Sequence, residues 1–107
     1  MKPNVEKKYT QQYYDDLNSI VDYIADVKKN PIAALNLLDK IEEAVNKRTP
    51  VADSFEPITS AKDREHTYYK ITVNNYFIFY IIINEEDKDI VEYRRVIYNK
   101  RNWNRII

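Results

Sequence analysis

The side chains best suited to chemistry are cations gathered near one end of the chain. Arg94, Arg95, Lys100, Arg101 and Arg105 put five positive charges between Ile90 and Ile107, and no acid follows Glu92. In a chain of zero formal net charge, this asymmetry points to an anionic partner. A plainer account is that the arginines balance residues 51 to 92, which carry nine acids against four bases. Tyr98 and Trp103 stand beside Lys100 and Arg101, so rings and cations share one short segment. Arg94 and Arg95 are consecutive in a strand-like run and should point to opposite faces. One of them would then join Lys100 and Arg101, and the other would meet an acid of the sheet or loop. His66 has an unperturbed pKa near neutrality and stands between Glu65 and Thr67, with Arg64 close by, so it is a weak acid–base candidate. A lone histidine at a loop edge is more commonly a hydrogen-bonded bystander.

Composition narrows the chemistry further. Without cysteine there is no thiolate and no disulfide, and one histidine makes a His/Cys zinc site improbable, while carboxylate sites for harder ions stay open. No glycine is present, so phosphate-cradling glycine loops and dinucleotide fingerprints are ruled out, and an anion must be gripped by side chains. No cofactor or metal is expected. At 107 residues, 44% hydrophobic and 32% charged, the composition suits one globular domain over residues 1–107. No apolar run has membrane-spanning length and no apolar h-region follows the first lysines, so a cytoplasmic location is the default expectation.

Several elements must position these cations. Residues 5 to 9 alternate weakly and suggest a short strand ending near Tyr9. Thr10 is a plausible N-cap, and Tyr14, Leu17, Ile20, Val21, Ile24 and Val27 or Lys28 recur at helical spacing, leaving Asp15, Asp22 and Asp26 wet. Asn30 and Pro31 read as cap and first position of a second helix, with an apolar stripe of Ala34, Leu35, Leu38, Ile41 and Val45. The short connection implies a helical hairpin. Residues 48 to 66, with Pro50 and Pro57, read as an irregular connection.

From Thr67 onward the period changes to that of strands: TYYKITV, YFIFYIII and DIVEYRRVIY. Asn74-Asn75 can turn tightly without glycine, and 84 to 88 form a longer turn. The middle run, Tyr76 to Ile83, is apolar throughout, so both of its faces must be covered. The helices can take one face. The other falls to the C-terminal tail, the long loop, a second copy or a partner. Tyr69, Tyr80 and Tyr93 read as strand packing.

Taken together, SIVDYIAD (19 to 26), LLDKIEEAV (37 to 45), YYKITVNNYFIFYIII (68 to 83) and RRVIYNKRNW (94 to 103) resemble the RelE/ParE superfamily of bacterial type II toxin–antitoxin toxins. The resemblance covers nearly the whole chain. It implies an α+β fold in which an N-terminal strand and a helical hairpin precede a three-stranded antiparallel meander, with the helices on one face. It also implies a cognate antitoxin that wraps the toxin, growth inhibition, and a role in plasmid stabilisation. A homodimer or a heterotetramer with the antitoxin would be the corresponding assemblies.

RelE-like members cleave mRNA on the ribosome, whereas ParE-like members inhibit DNA gyrase, and the shared fold does not choose between them. In the RelE-like pattern Lys70 and Arg101 match catalytic cations. Phe77 stands where a phosphate-binding arginine is usual, and Ile106 and Ile107 where an aromatic or histidine acid–base would be. The resemblance therefore favours a ParE-like inhibitor with gyrase as implied target, in which Arg95, Lys100, Arg101 and Trp103 would meet the target. The alternatives are an mRNA endonuclease using Lys70 and Arg101, with His66 in reserve, and a detoxified antitoxin-binding module. Whether the protein is an enzyme stays open at this point.

Overall fold

A computed structural model describes residues 1–59 and 65–107. The chain runs β1 (Val5–Tyr9), α1 (Gln11–Asp22), a π-helical turn (Tyr23–Val27), α2 (Pro31–Arg48), a 3-10 turn (Thr49–Ser54), β2 (Tyr69–Val73), β3 (Tyr76–Asn84), β4 (Asp89–Tyr98) and a final 3-10 turn (Trp103–Arg105). The four strands form one sheet in the order β1-β4-β3-β2. β1 lies parallel to β4, with Val5 opposite Asp89 and Tyr9 opposite Tyr93, while β2, β3 and β4 form an antiparallel meander.

Local chemistry explains the boundaries. The Thr10 side chain accepts from the Tyr13 N–H at 3.2 Å and caps α1, and its hydroxyl donates to the Arg94 carbonyl at 3.0 Å, tying the helix start to β4. The helix ends by widening: the Lys28 N–H reaches back five residues to the Tyr23 carbonyl at 3.0 Å. Lys29 then takes a left-handed φ of 55°, a place where glycine is usual. Asn30 accepts from the Ala33 N–H at 3.1 Å and Pro31 opens α2. At the β2–β3 hairpin Asn74 supplies the positive φ, at 51°.

The helices cover one face of the sheet. Tyr13, Leu37, Ile41 and Val45 pack there against Ile71, Ile78, Tyr80, Val91 and Tyr93. Two of the expected stripes are rotated by one or two residues. On α1 the buried tyrosine is Tyr13, and Tyr14 is 46% exposed, because Tyr13 lies 4.9 Å from the Tyr9 ring and 6.4 Å from that of Tyr93. On α2 Leu37, three after Ala34 and four before Ile41, is buried, whereas Leu35 is 61% exposed. The stripe does not extend to Val27 or Lys28: the π turn inserts a residue, shifts the helical phase and leaves both exposed.

The second face of β3 is covered by this chain. Phe79, Ile81 and Ile97 form a second core with Tyr68 and Ile107, flanked by Ile58, Phe77, Trp103 and Ile106. Two of the expected possibilities, the tail and the long connection, supply this cover. The connection is also more regular than expected, since α2 runs on into the 3-10 turn and Ile58 bridges Tyr68, its N–H donating to the Tyr68 carbonyl at 2.7 Å.

Candidate functional site

The basic segment is positioned by β4, and β4 is irregular where it matters. Phe79 pairs with Arg95 but Tyr80 with Tyr93, so Arg94 is an extra residue, a β-bulge. Glu92 lies opposite Ile81 and Arg95 opposite Phe79, both members of the second core. The bulge thus returns Arg95 to the face of Glu92 and Arg94. The expectation that Arg94 and Arg95 point to opposite faces is therefore corrected: both line one cavity of about 440 Å³, beside Tyr68 and Ile107. Strict alternation holds only in an uninterrupted strand.

Each arginine meets an acid. Arg95 holds Asp16 of α1 in a two-pronged pair, Nε to Oδ2 at 2.8 Å and Nη2 to Oδ1 at 3.1 Å. Arg94 approaches Glu92 at 3.7 Å, and its guanidinium stands 5.7 Å from the Tyr68 ring centre.

Beyond β4 the cations separate. Lys100 and Arg101 are exposed. Arg101 lines a groove of about 710 Å³ on the helical side, between α1, the π turn and the adjoining ends of β3 and β4. Ile20, Tyr23, Ile24, Tyr76 and Tyr98 wall the groove, and Lys28 is its second cation. Lys70 lies opposite Phe79 on the other side of the sheet, with its ammonium 4.1 Å from the Phe77 ring centre and 5.0 Å from that of Trp103. Two aromatic faces thus hold this cation.

Of the four residues expected to meet a target, Lys100 and Arg101 reach open solvent. Arg95 is engaged by Asp16, and the Trp103 ring packs 5.5 Å from Phe79 and 5.9 Å from Phe77. The two cations of the ribonuclease pattern, Lys70 and Arg101, lie on different sides of the sheet. His66 lines a third cavity, of about 580 Å³, with Asp53, Glu65 and Asp89; Arg64 falls outside the described residues. Among the described residues no group of three or more His, Cys, Asp or Glu side chains is placed to hold a metal ion. Likewise, no helix among them is long and apolar enough to cross a membrane.

Elsewhere on the helical face, buried hydroxyls fix the end of α2 and the 3-10 turn after it to the sheet. Tyr93 shares a 2.8 Å hydrogen bond with Thr49, and Tyr80 donates to the Ala52 carbonyl at 2.7 Å while accepting from Arg48 at 3.0 Å. Burial pushes the Tyr93 hydroxyl up to about 12, with Thr49 opposing the shift, and raises Tyr80 against the opposing Arg48. The candidate-site residues that sequence reasoning missed are Asp16, which holds Arg95, and the groove residues Tyr23 and Tyr76. The tyrosines carried a visible signal in being aromatic and next to turns, but Asp16 carried none.

Comparison with known proteins agrees with this architecture. A solved structure described as the chromosomal ParDE TA system from P. aeruginosa superposes with a TM-score of 0.64 at 18% identity, over 88% of this chain and 95% of that one. It establishes a likeness of fold. No curated protein sequence matches the chain. A family model described as the ParE toxin of the type II toxin–antitoxin system, parDE, matches residues 8–103, from the end of β1 to the start of the last 3-10 turn, and the chain belongs to the ParE toxin family.

Proposed function

We propose that the protein is a growth-inhibiting toxin that acts on DNA gyrase, without nucleolytic chemistry, and is neutralised by a cognate antitoxin in the cytoplasm. The observation that supports this most directly is the setting of Lys70. Cleaving RNA requires cations converging on one phosphate, with a group to activate the ribose 2′-hydroxyl and an acid for the leaving oxygen. Here Lys70 is held between Phe77 and Trp103, while Arg101 serves the groove on the other side. Phe77, in the position of the usual phosphate-binding arginine, supplies an apolar ring. Lys100 and Arg101 are the cations that contact the target, with Arg95 and Trp103 holding the tail in register for them.

The apolar groove with Lys28 and Arg101 suits an acidic, amphipathic antitoxin segment. A role in plasmid stabilisation follows from such a pair.

Induced expression, scored for growth together with DNA supercoiling by purified gyrase, tests the proposal. Arg101→Ala is expected to abolish growth arrest and gyrase inhibition while leaving the thermal midpoint unchanged, with the antitoxin still held, less tightly, by Lys28 and the apolar walls of the groove. Site-specific mRNA cleavage in a translation extract, lost in Lys70→Ala, would overturn the reading in favour of an endonuclease. Full toxicity of a folded Arg101→Ala protein would remove the tail from the mechanism.

A further inference from the structure

The cavity beside the β-bulge is separate from the groove that Arg101 serves. It lies at the second face of the sheet, where Arg94 and Arg95 meet Tyr68, Ile106, Ile107 and the start of α1. Arg95 is satisfied there by Asp16. Arg94 is not: its side chain is 29% exposed, yet among the described residues its charged partner is Glu92 at 3.7 Å, beyond hydrogen-bonding reach. A guanidinium offers five N–H donors in a rigid fork, and at this exposure the donors that face the cavity can exchange water for an incoming acceptor. The bulge that aims this fork into the cavity is a feature that recurs beside functional sites.

We infer that this cavity is a receptor for a single carboxylate of a polypeptide partner, an Asp or Glu side chain flanked by aliphatic residues, held by the Arg94 fork. Planar, two-pronged bonding to a carboxylate is what a guanidinium does best. The aliphatic flanks follow from the walls: Ile106, Ile107 and the Tyr68 ring present apolar surface next to the charge. A nucleic-acid backbone fits less well. Glu92 and Asp16 offset Arg94 and Arg95 within the same cluster, so little net positive field is left to steer a polyanion, whereas short-range directional bonds survive. The site makes no use of Lys100, Arg101 or the groove, so it stands or falls independently of the gyrase proposal.

Titration of the isotope-labelled full chain by NMR tests it, using Ac-Leu-Glu-Leu-NH2, its glutamine analogue Ac-Leu-Gln-Leu-NH2, and inorganic phosphate as probes. The glutamate peptide is expected to shift the Arg94 Nε–H and Ile107 methyl signals, and to bind about tenfold or more tightly than the glutamine analogue. Arg94→Gln should weaken the glutamate peptide by a similar factor. Glu92→Gln, which removes the competing carboxylate, should tighten it, a gain that a damaged fold would not produce. Equal binding of the two peptides, no binding, shifts confined to Lys100 and Arg101, or phosphate binding as tightly as the glutamate peptide would each overturn the inference.

Discussion

Asp16 and Arg95 close a gap in the sheet. β1 pairs with β4 only as far as Tyr93, so beyond it the edge of β4 would present unpaired backbone groups. The Asp16 carboxylate takes the place of a strand there: Oδ2 accepts from the Val96 N–H at 2.9 Å while the same carboxylate grips the Arg95 guanidinium. Both side chains are largely withdrawn from solvent, at 10% and 21% exposure. Asp16→Ala is expected to destabilise the protein by about 2 to 3 kcal/mol, since it strands a guanidinium and an N–H together. Asp16→Asn, which can still accept from Val96, should cost less. Urea denaturation of the three proteins checks the order.

Tyr93 makes stability sensitive to alkali. Its folded pKa, about 12, lies above the ordinary tyrosine value of 10.0, so folding favours the protonated form. The contribution is fully present below pH ~10 and is lost as pH rises towards 12, when the unfolded state ionises first. Its size is on the order of 2 to 3 kcal/mol. Stability measured by denaturant across that window should fall, and Tyr93→Phe should flatten the fall. An unchanged slope in Tyr93→Phe would count against this account.

The tail is a structural lid on the second face. Trp103 packs on Phe77 and Phe79, and Ile107 is buried among them. Trp103→Ala is expected to cost about 3 kcal/mol, to expose Phe77 and Phe79, and to raise binding of a hydrophobic dye. As the single tryptophan, Trp103 also reports on the lid by its own fluorescence, which should shift to the red before global unfolding if the tail releases first.

The position of α2 can be tested by paired truncations. Leu37→Ala should destabilise by about 2 to 5 kcal/mol and Leu35→Ala by no more than about 0.5, because one leucine is 3% exposed and the other 61%. Equal effects in thermal melts would mean that the helix sits in another rotation.

Ribosome-dependent cleavage by this protein should be ~100 to 1000-fold below that of a toxin with an arginine at the Phe77 position, the usual loss when one transition-state contact is missing. Lys70→Met, which keeps the aliphatic stem between the rings, should therefore leave growth inhibition intact. A growth assay beside a translation extract reads both outcomes.

Periodicity and caps made most of the fold legible in the sequence. Thr10, Asn30 and Pro31 marked the helix starts because their side chains satisfy, or need not satisfy, local backbone N–H groups, and such bonds depend on a few neighbouring residues. The β3 run announced its burial by lacking a polar face. What depends on distant partners was not legible. Tyr13 and Tyr14, or Leu35 and Leu37, are interchangeable by composition, and only the ring of Tyr9 and the sheet beyond select which is buried. The bulge at Arg94 is a mismatch between two strands, so neither strand carries it alone. Nor could the cations be sorted into surfaces: Lys70, Arg94 and Arg101 look alike as charges along the chain, and the packing of Trp103 on Lys70 and the bulge at Arg94 help to put them in three different places.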